Sequence, residues 1–234
     1  LKDSKSSGVL VEEVSWSRLG QITKGAVHQG IVLQIAASKT LDIKDLIEAC
    51  KPFGDKSLLL ALDGLTDPQN LGAIIRSAEA LGAHGLVLPQ RRSAGLTGSV
   101  AKVAAGALEH LPVARVINLN RSLEKLKDEG YRIVGLAQEG DLTLSEIKFD
   151  GPFVGVVGSE DKGISLITRR LCDQLVRIPL RGVTTSLNAS VATSIFLYEV
   201  ARSKWMRSIS GQAPSPRLMK PQITSNSIQS LEDD

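Results

Sequence analysis

From Leu58 to Met206, short runs of Leu, Ile and Val alternate with segments whose apolar residues recur at helical spacing. This alternation constrains the chain more than any other feature. Strands alternating with helices predict an α/β fold, a parallel sheet flanked by helices on both faces. The runs predict strands at Leu58–Leu62, Leu86–Leu88, Ala114–Ile117, Ile133–Ala137, Phe153–Val157 and Leu175–Pro179. Helices are predicted at Asn70–Leu81, Leu96–Leu108, Leu123–Glu129, Ile164–Leu171 and Asn188–Met206. In the first of these, Ile74, Ile75, Ala78 and Leu81 share one helical face.

The pattern is less regular before Ser57. Val27–Ala37 reads as a strand, and Asp42–Cys50 as a short helix ending at the break Lys51–Asp55. Beyond Arg207 the chain turns to Ser, Gln, Pro and Asn, a composition that predicts a disordered tail. Three regions follow: residues 1–53, 57–206 and 207–234. Hydrophobic residues are 42% of the chain, enough for a packed core, while aromatics are only 3%. The core must therefore be aliphatic, and stacking on aromatic side chains is not a main route to nucleic acid. A net charge of +3 permits RNA binding without requiring it. Cys50 and Cys172 have no His or Cys neighbours at ligand spacing, so no metal site is expected. The polar opening Leu1–Gly8 does not read as a signal peptide, and no apolar run reaches the roughly 18 residues of a membrane span. A cytoplasmic protein that does not enter membranes is the expectation.

In open α/β sheets, ligands bind beyond the carboxyl ends of the strands. Three loops at such ends carry polar clusters. Asp67-Pro68-Gln69-Asn70-Leu71-Gly72 follows the first strand, with Arg76 nearly two turns further along the helix. Asn70 suits an N-cap there, and Arg76 suits a solvated position. Gly158-Ser159-Glu160-Asp161-Lys162-Gly163 follows the strand at Phe153–Val157. It reads equally as a turn capped at Ser159 or Asp161 and as a backbone cradle for a ligand. The third loop runs from Ile178-Pro179-Leu180 through Ser186-Leu187-Asn188-Ala189-Ser190 into the longest helix. One helix needs one cap, so Thr184, Thr185, Ser186, Asn188 and Ser190 exceed what capping requires.

Familiar nucleotide motifs are missing. No G-x-G-x-x-G follows a strand, and no G-x-S-x-G elbow occurs. Gly158 and Gly163 have the spacing of a phosphate-binding loop, but Ile164 and Ser165 stand where Lys and Ser or Thr are needed.

Taken together and in order, DPQNLGAIIRSAEALGAHGLVLP, VVGSEDKGIS and IPLRGVTTSLNASVA resemble the three motifs of the SpoU/TrmH branch of the SPOUT methyltransferases. The segments Arg92-Ser93-Ala94 and Lys102–Glu109 add to the likeness, which spans about Ser57 to Arg202. It is greatest to the bacterial enzymes that make 2′-O-methylguanosine in large-subunit ribosomal RNA. The resemblance implies a C-terminal trefoil knot that holds S-adenosylmethionine, and a homodimer. It also implies that the region before Ser57, ending near His28–Gly30, is part of a small RNA-binding domain of L30e type. Carried over by position, Ala137, Gly158, Ile178, Leu180 and Leu187 would hold the cofactor. Asn70, Arg76, Glu160, Asn188 and Ser190 would form the catalytic cluster. Asp161 departs from the pattern, since relatives more often have Gly there. The implied substrate is ribosomal RNA, with transfer RNA, or RNA binding without catalysis, as alternatives.

Methyl transfer to a ribose hydroxyl needs alignment of oxygen, methyl and sulfur, and help in removing the hydroxyl proton. His28, His84 and His110 all lie outside the three loops, which argues against a histidine base. Arginine stays protonated, so the role expected of Arg76 is to stabilise the developing alkoxide and grip a phosphate. Glu160 is expected to accept the proton or to orient Arg76. Gln90-Arg91-Arg92 reads either as a phosphate contact or as a solvated basic loop.

Overall fold

The computed structural model describes residues 12–23, 25, 28–31 and 40–208. The expected tail beyond Arg207 lies outside them except for its first residues. Of the strand expected at Val27–Ala37, residues 28–31 are irregular and bent, and the others lie outside the described residues.

A short helix, α1 (Trp16–Ile22), precedes β1 (Thr40–Leu41) and α2 (Ile43–Cys50). After a 3-10 segment come β2 (Leu58–Asp63), α3 (Pro68–Ala80), β3 (Gly85–Pro89), α4 (Gly98–Ala104), β4 (Val113–Val116) and α5 (Leu119–Asp128). The chain continues through β5 (Arg132–Leu136), β6 (Leu142–Thr143), β7 (Phe153–Gly158), α6 (Leu166–Leu171), β8 (Gln174–Arg177) and α7 (Ala189–Ser203). The sheet order is β1-β4-β3-β2-β7-β5-β8-β6, and every pairing is parallel. All strand carboxyl ends therefore share one edge.

Strand β2 shows why both faces are covered. Leu58, Leu60 and Leu62 pack with Ile74 and Ile75 of α3, Val100 of α4 and Phe196 of α7. Leu59 and Ala61 pack on the opposite face with Leu46 of α2 and Leu123 of α5. A strand buried on both faces reads as a continuous apolar run, as Leu58–Leu62 does. Each fully buried Leu contributes about 1.5–3 kcal/mol. Gly155 in β7 has a packing reason, because a Cβ there would lie 2.5 Å from the Phe196 ring. Although they precede Ser57, β1 pairs with β4 and α2 packs into the second core.

Chain order reverses across the sheet centre. From β2 the chain steps outward to β3 and β4, then crosses to β5, and β7 inserts between β2 and β5. The order reverses where β2 and β7 run side by side, and the cavity opens next to that point, beyond the carboxyl ends of β5, β7 and β8.

Three expected helices differ in extent by three residues or more at an end. The helix expected at Leu96–Leu108 stops at Ala104 because Ala105 turns left-handed (φ 51°) and Gly106 follows it (φ 88°); Ala107–Glu109 is a 3-10 turn. The expected Leu123–Glu129 helix starts earlier, at Leu119, because the Asn118 side chain caps it. The long C-terminal helix ends at Ser203 rather than Met206.

Candidate functional site

The first loop is ordered by Asp67, whose carboxylate accepts from the backbone N–H groups of Gln69 (3.0 Å) and Asn70 (3.3 Å). Asp67 is thus the N-cap of α3, with Pro68 at the first helical position, and the expected cap at Asn70 is corrected. Freed from capping, the Asn70 side chain turns inward and is 6% exposed.

The second loop closes on itself. Ser159 and Gly163 exchange backbone hydrogen bonds of 3.1 and 2.9 Å, and Lys162 N–H donates to Ser159 Oγ. Neither Ser159 nor Asp161 caps α6; Ser165 does. Ser165 N–H also donates to Asp63 Oδ2 at 2.8 Å, which ties this loop to the end of β2. Gly158 is required by contact: a Cβ there would lie 2.0 Å from the Gly163 carbonyl carbon.

The third loop delivers Asn188 as the cap of α7. Its Oδ1 accepts from Ser190 N–H (2.9 Å), Ser190 Oγ (2.6 Å) and Val191 N–H (3.3 Å). Its Nδ2 faces the other way. That amide donates to Asn70 Oδ1 (2.9 Å) and to Glu160 Oε1 (3.3 Å), and Asn70 Nδ2 donates to the same Glu160 oxygen. One residue from each of the three loops thus meets in a single network, with Ser190 joined through Asn188.

Beside this network lies a cavity of about 320 Å³. Ala137, Gly158, Ile178, Leu180 and Leu187 all line it, together with Leu136, Val157 and Ile164. Glu139, Glu160, Asp161, Lys162 and Arg169 supply its charged groups. Glu139 and Arg169 form an ion pair. Sequence reasoning missed this pair, although an acidic residue three positions after β5 was a readable signal. Arg76 is exposed on α3 and makes no hydrogen bond or ion pair with Glu160. Ser190 also lines a shallow apolar depression with Leu81, Val191, Ser194, Ile195 and Tyr198. Among the described residues no group of three or more His, Cys, Asp or Glu could hold a metal ion, and no helix is long and apolar enough to cross a membrane.

Fold and site define an α/β protein with a cavity at the carboxyl edge of a parallel sheet, beyond β5, β7 and β8. Residues 57–198 match the SpoU rRNA Methylase family, and the chain belongs to it. Residues 1–41 match the family described as RNA 2′-O ribose methyltransferase substrate binding. An uncharacterized tRNA/rRNA methyltransferase of Synechocystis is 50% identical over 87% of this chain and 53% of its own length. The chain thus spans about half the length of that relative. The putative TrmH family tRNA/rRNA methyltransferase YacO of Bacillus subtilis is 42% identical, over 86% of this chain and 80% of the relative. Among solved structures, the AdoMet-bound rRNA methyltransferase of Sinorhizobium meliloti aligns with a TM-score of 0.72 at 27% identity, covering 89% of this chain and 76% of that one. AviRb of Streptomyces viridochromogenes, in complex with AdoMet, aligns with a TM-score of 0.60 at 35% identity, covering 65% and 59%.

Proposed function

We propose that this chain transfers a methyl group from S-adenosylmethionine to a ribose 2′-hydroxyl in ribosomal RNA, at a guanosine, in the cytoplasm. The observation that carries the reading is the Asn70–Glu160–Asn188 network standing beside the cavity, with Glu160 belonging to both.

The cavity suits the cofactor. Leu136, Ile178, Leu180 and Leu187 offer an apolar wall for adenine, and backbone groups near Ala137 and Leu180 can read its edge. Glu139, Glu160 and Asp161 suit its hydroxyl and cationic groups. When bound, S-adenosylmethionine supplies an electrophilic methyl group on a sulfonium. The remaining work falls to the chain. Gly158 lets the loop fold back beneath the pocket. Asn70 and Asn188 hold Glu160 by one oxygen, Oε1, which leaves Oε2 to take the hydroxyl proton. Ser190 steadies Asn188. Arg76, exposed on the helix that carries Asn70, stabilises the developing alkoxide and holds the neighbouring phosphate. The 2′-hydroxyl as acceptor restricts the substrate to RNA.

The same reading includes a homodimer and a trefoil knot. Val191, Ile195 and Tyr198 recur along one face of α7 and stay exposed, an apolar stripe suited to a second copy of this chain. The return of residues 178–188 beside the Gly158–Gly163 loop supports the knot. Residues 1–53 serve RNA recognition, residues 57–206 carry the chemistry, and β1 with α2 form the joint that docks one on the other. The test is transfer of radiolabelled methyl from S-adenosylmethionine to unmodified ribosomal and transfer RNA, with nucleoside analysis. Label in 2′-O-methylguanosine of ribosomal RNA is expected. Label only in transfer RNA would move the substrate; binding of cofactor without transfer to either would overturn the reaction.

A further inference from the structure

The turn between β3 and α4 is held more firmly than an ordinary surface loop. Arg92 has φ 56°, and only Ala105 shares a positive φ among the described non-glycine residues. Ala105 ends a helix, where that conformation is common. Arg92 follows a strand, so its backbone must be held in place by its surroundings. They do so from several sides. Ser93 Oγ donates to Pro89 O. Ala94 N–H donates to Leu65 O and Gln90 N–H to Val116 O, each at 2.8 Å. Arg115, on β4, spans the turn: Nη1 donates to Ala94 O (3.2 Å) and Nη2 to Gln90 O (3.3 Å).

The result is a stiff turn presenting two cations. Arg91 and Arg92 are both exposed, and neither makes a hydrogen bond or ion pair among the described residues. The turn sits at the carboxyl end of β3, on the edge that holds the cavity. Its bond to Leu65 joins it to the loop that delivers Asn70. A merely solvated basic loop has no use for a left-handed arginine or for a third arginine bracing it from behind. Two guanidinium forks on a preset turn match the oxygens of a phosphodiester.

We propose that Arg91 and Arg92 form a preset clamp for an RNA backbone phosphate near the modified nucleotide, with Arg115 as the positioning residue. This rests on the RNA methyltransferase reading and adds to it the contact that sets substrate register.

The test measures binding of an in vitro transcribed ribosomal RNA fragment across a salt series, together with calorimetric binding of S-adenosylmethionine. Each lost phosphate contact lowers the slope of log K against log salt by about 0.7–0.9. The Arg91→Gln/Arg92→Gly double variant should lose about 0.7–0.9 of slope, the share of one phosphate, and at least tenfold in affinity at low salt. Glycine accepts the Arg92 backbone conformation, so the fold is preserved, and cofactor affinity should not change. Arg115→Met should weaken RNA binding while keeping most of the slope, because both cations remain. Lys148→Gln, exposed just before β7 and so at the opposite edge of the sheet from the cavity, is the control and should behave as wild type. An unchanged slope in the double variant, or an equal loss in Lys148→Gln, would overturn the clamp and leave the methyltransferase reading standing. Failure of the wild type to bind or methylate RNA would overturn both.

Discussion

The Asn188 amide nitrogen lies 2.9 Å from the Asn70 side-chain oxygen, a contact between residues 118 positions apart. It joins the opening turns of α3 and α7. Since Asn188 also caps α7, removing it has two effects. Asn188→Ala should cost roughly 2 kcal/mol, from the lost cap and the orphaned Asn70 oxygen together. Asn188→Ser can restore the cap but cannot reach Asn70 and Glu160. Urea unfolding should place the serine variant within about 1 kcal/mol of wild type. Methyl transfer should fall in both variants. Full transfer by the serine variant would show that Asn188 is only a cap.

Gly158 tests the second loop. The atoms its Cβ would strike, Gly163 C at 2.0 Å and Ile164 N at 2.2 Å, are backbone and cannot swing aside. Gly158→Ala should open the loop, lower the melting temperature and weaken S-adenosylmethionine binding at least tenfold by calorimetry. Gly98 offers the opposite case: it opens α4, and a Cβ there meets nothing within 4 Å. Gly98→Ala should be neutral or stabilise by up to about 1 kcal/mol. Similar behaviour of the two variants would contradict the contact argument.

The sheet and its covering helices were legible because β2 and α3 carry their periods openly. Leu58–Leu62 is a run buried on both faces, and Ile74, Ile75 and Ala78 all reach the core. Local alternatives were harder. In Asp67-Pro68-Gln69-Asn70 two good caps compete, and only the geometry, with Pro68 at the first helical position, assigns the cap to Asp67. Ala105 gives no warning that it will turn left-handed and end α4. The site was legible only through motif likeness. No periodicity reports that Asn70, Glu160 and Asn188 meet, because their contacts bridge 28 to 118 residues. The Glu139–Arg169 pair lay outside the motifs that were compared.

Cys172 should be chemically quiet. Burial, then the neighbouring Asp173 charge, pushes its thiol up to about 11. Burial also raises the Cys50 thiol. Thiolate is the reacting form, so at pH 8 about one Cys172 in a thousand is reactive. Ellman's reagent should label both thiols slowly in the folded protein and both rapidly in denaturant. A fast equivalent in the folded state would contradict the assigned burial.

His84 makes stability depend on pH. Its Nδ1 accepts from the Leu58 N–H at 3.0 Å, and its ring lies against Phe53 with centroids 3.8 Å apart. Burial first, and the Lys204 charge second, hold its pKa below the usual 6.5. The folded state therefore binds this proton less readily than the unfolded chain does. The contribution is fully present above about pH 6.5 and is lost as pH falls through the lower folded value. Protonation also puts a hydrogen on the nitrogen that must accept from Leu58, breaking a bond worth about 1 kcal/mol. His84→Gln can supply an accepting oxygen that does not titrate. Between pH 8 and pH 5, wild type should lose roughly 1 kcal/mol more stability than the glutamine variant, as measured by urea unfolding at each pH. Parallel losses in the two proteins would assign the acid sensitivity to the carboxylates instead.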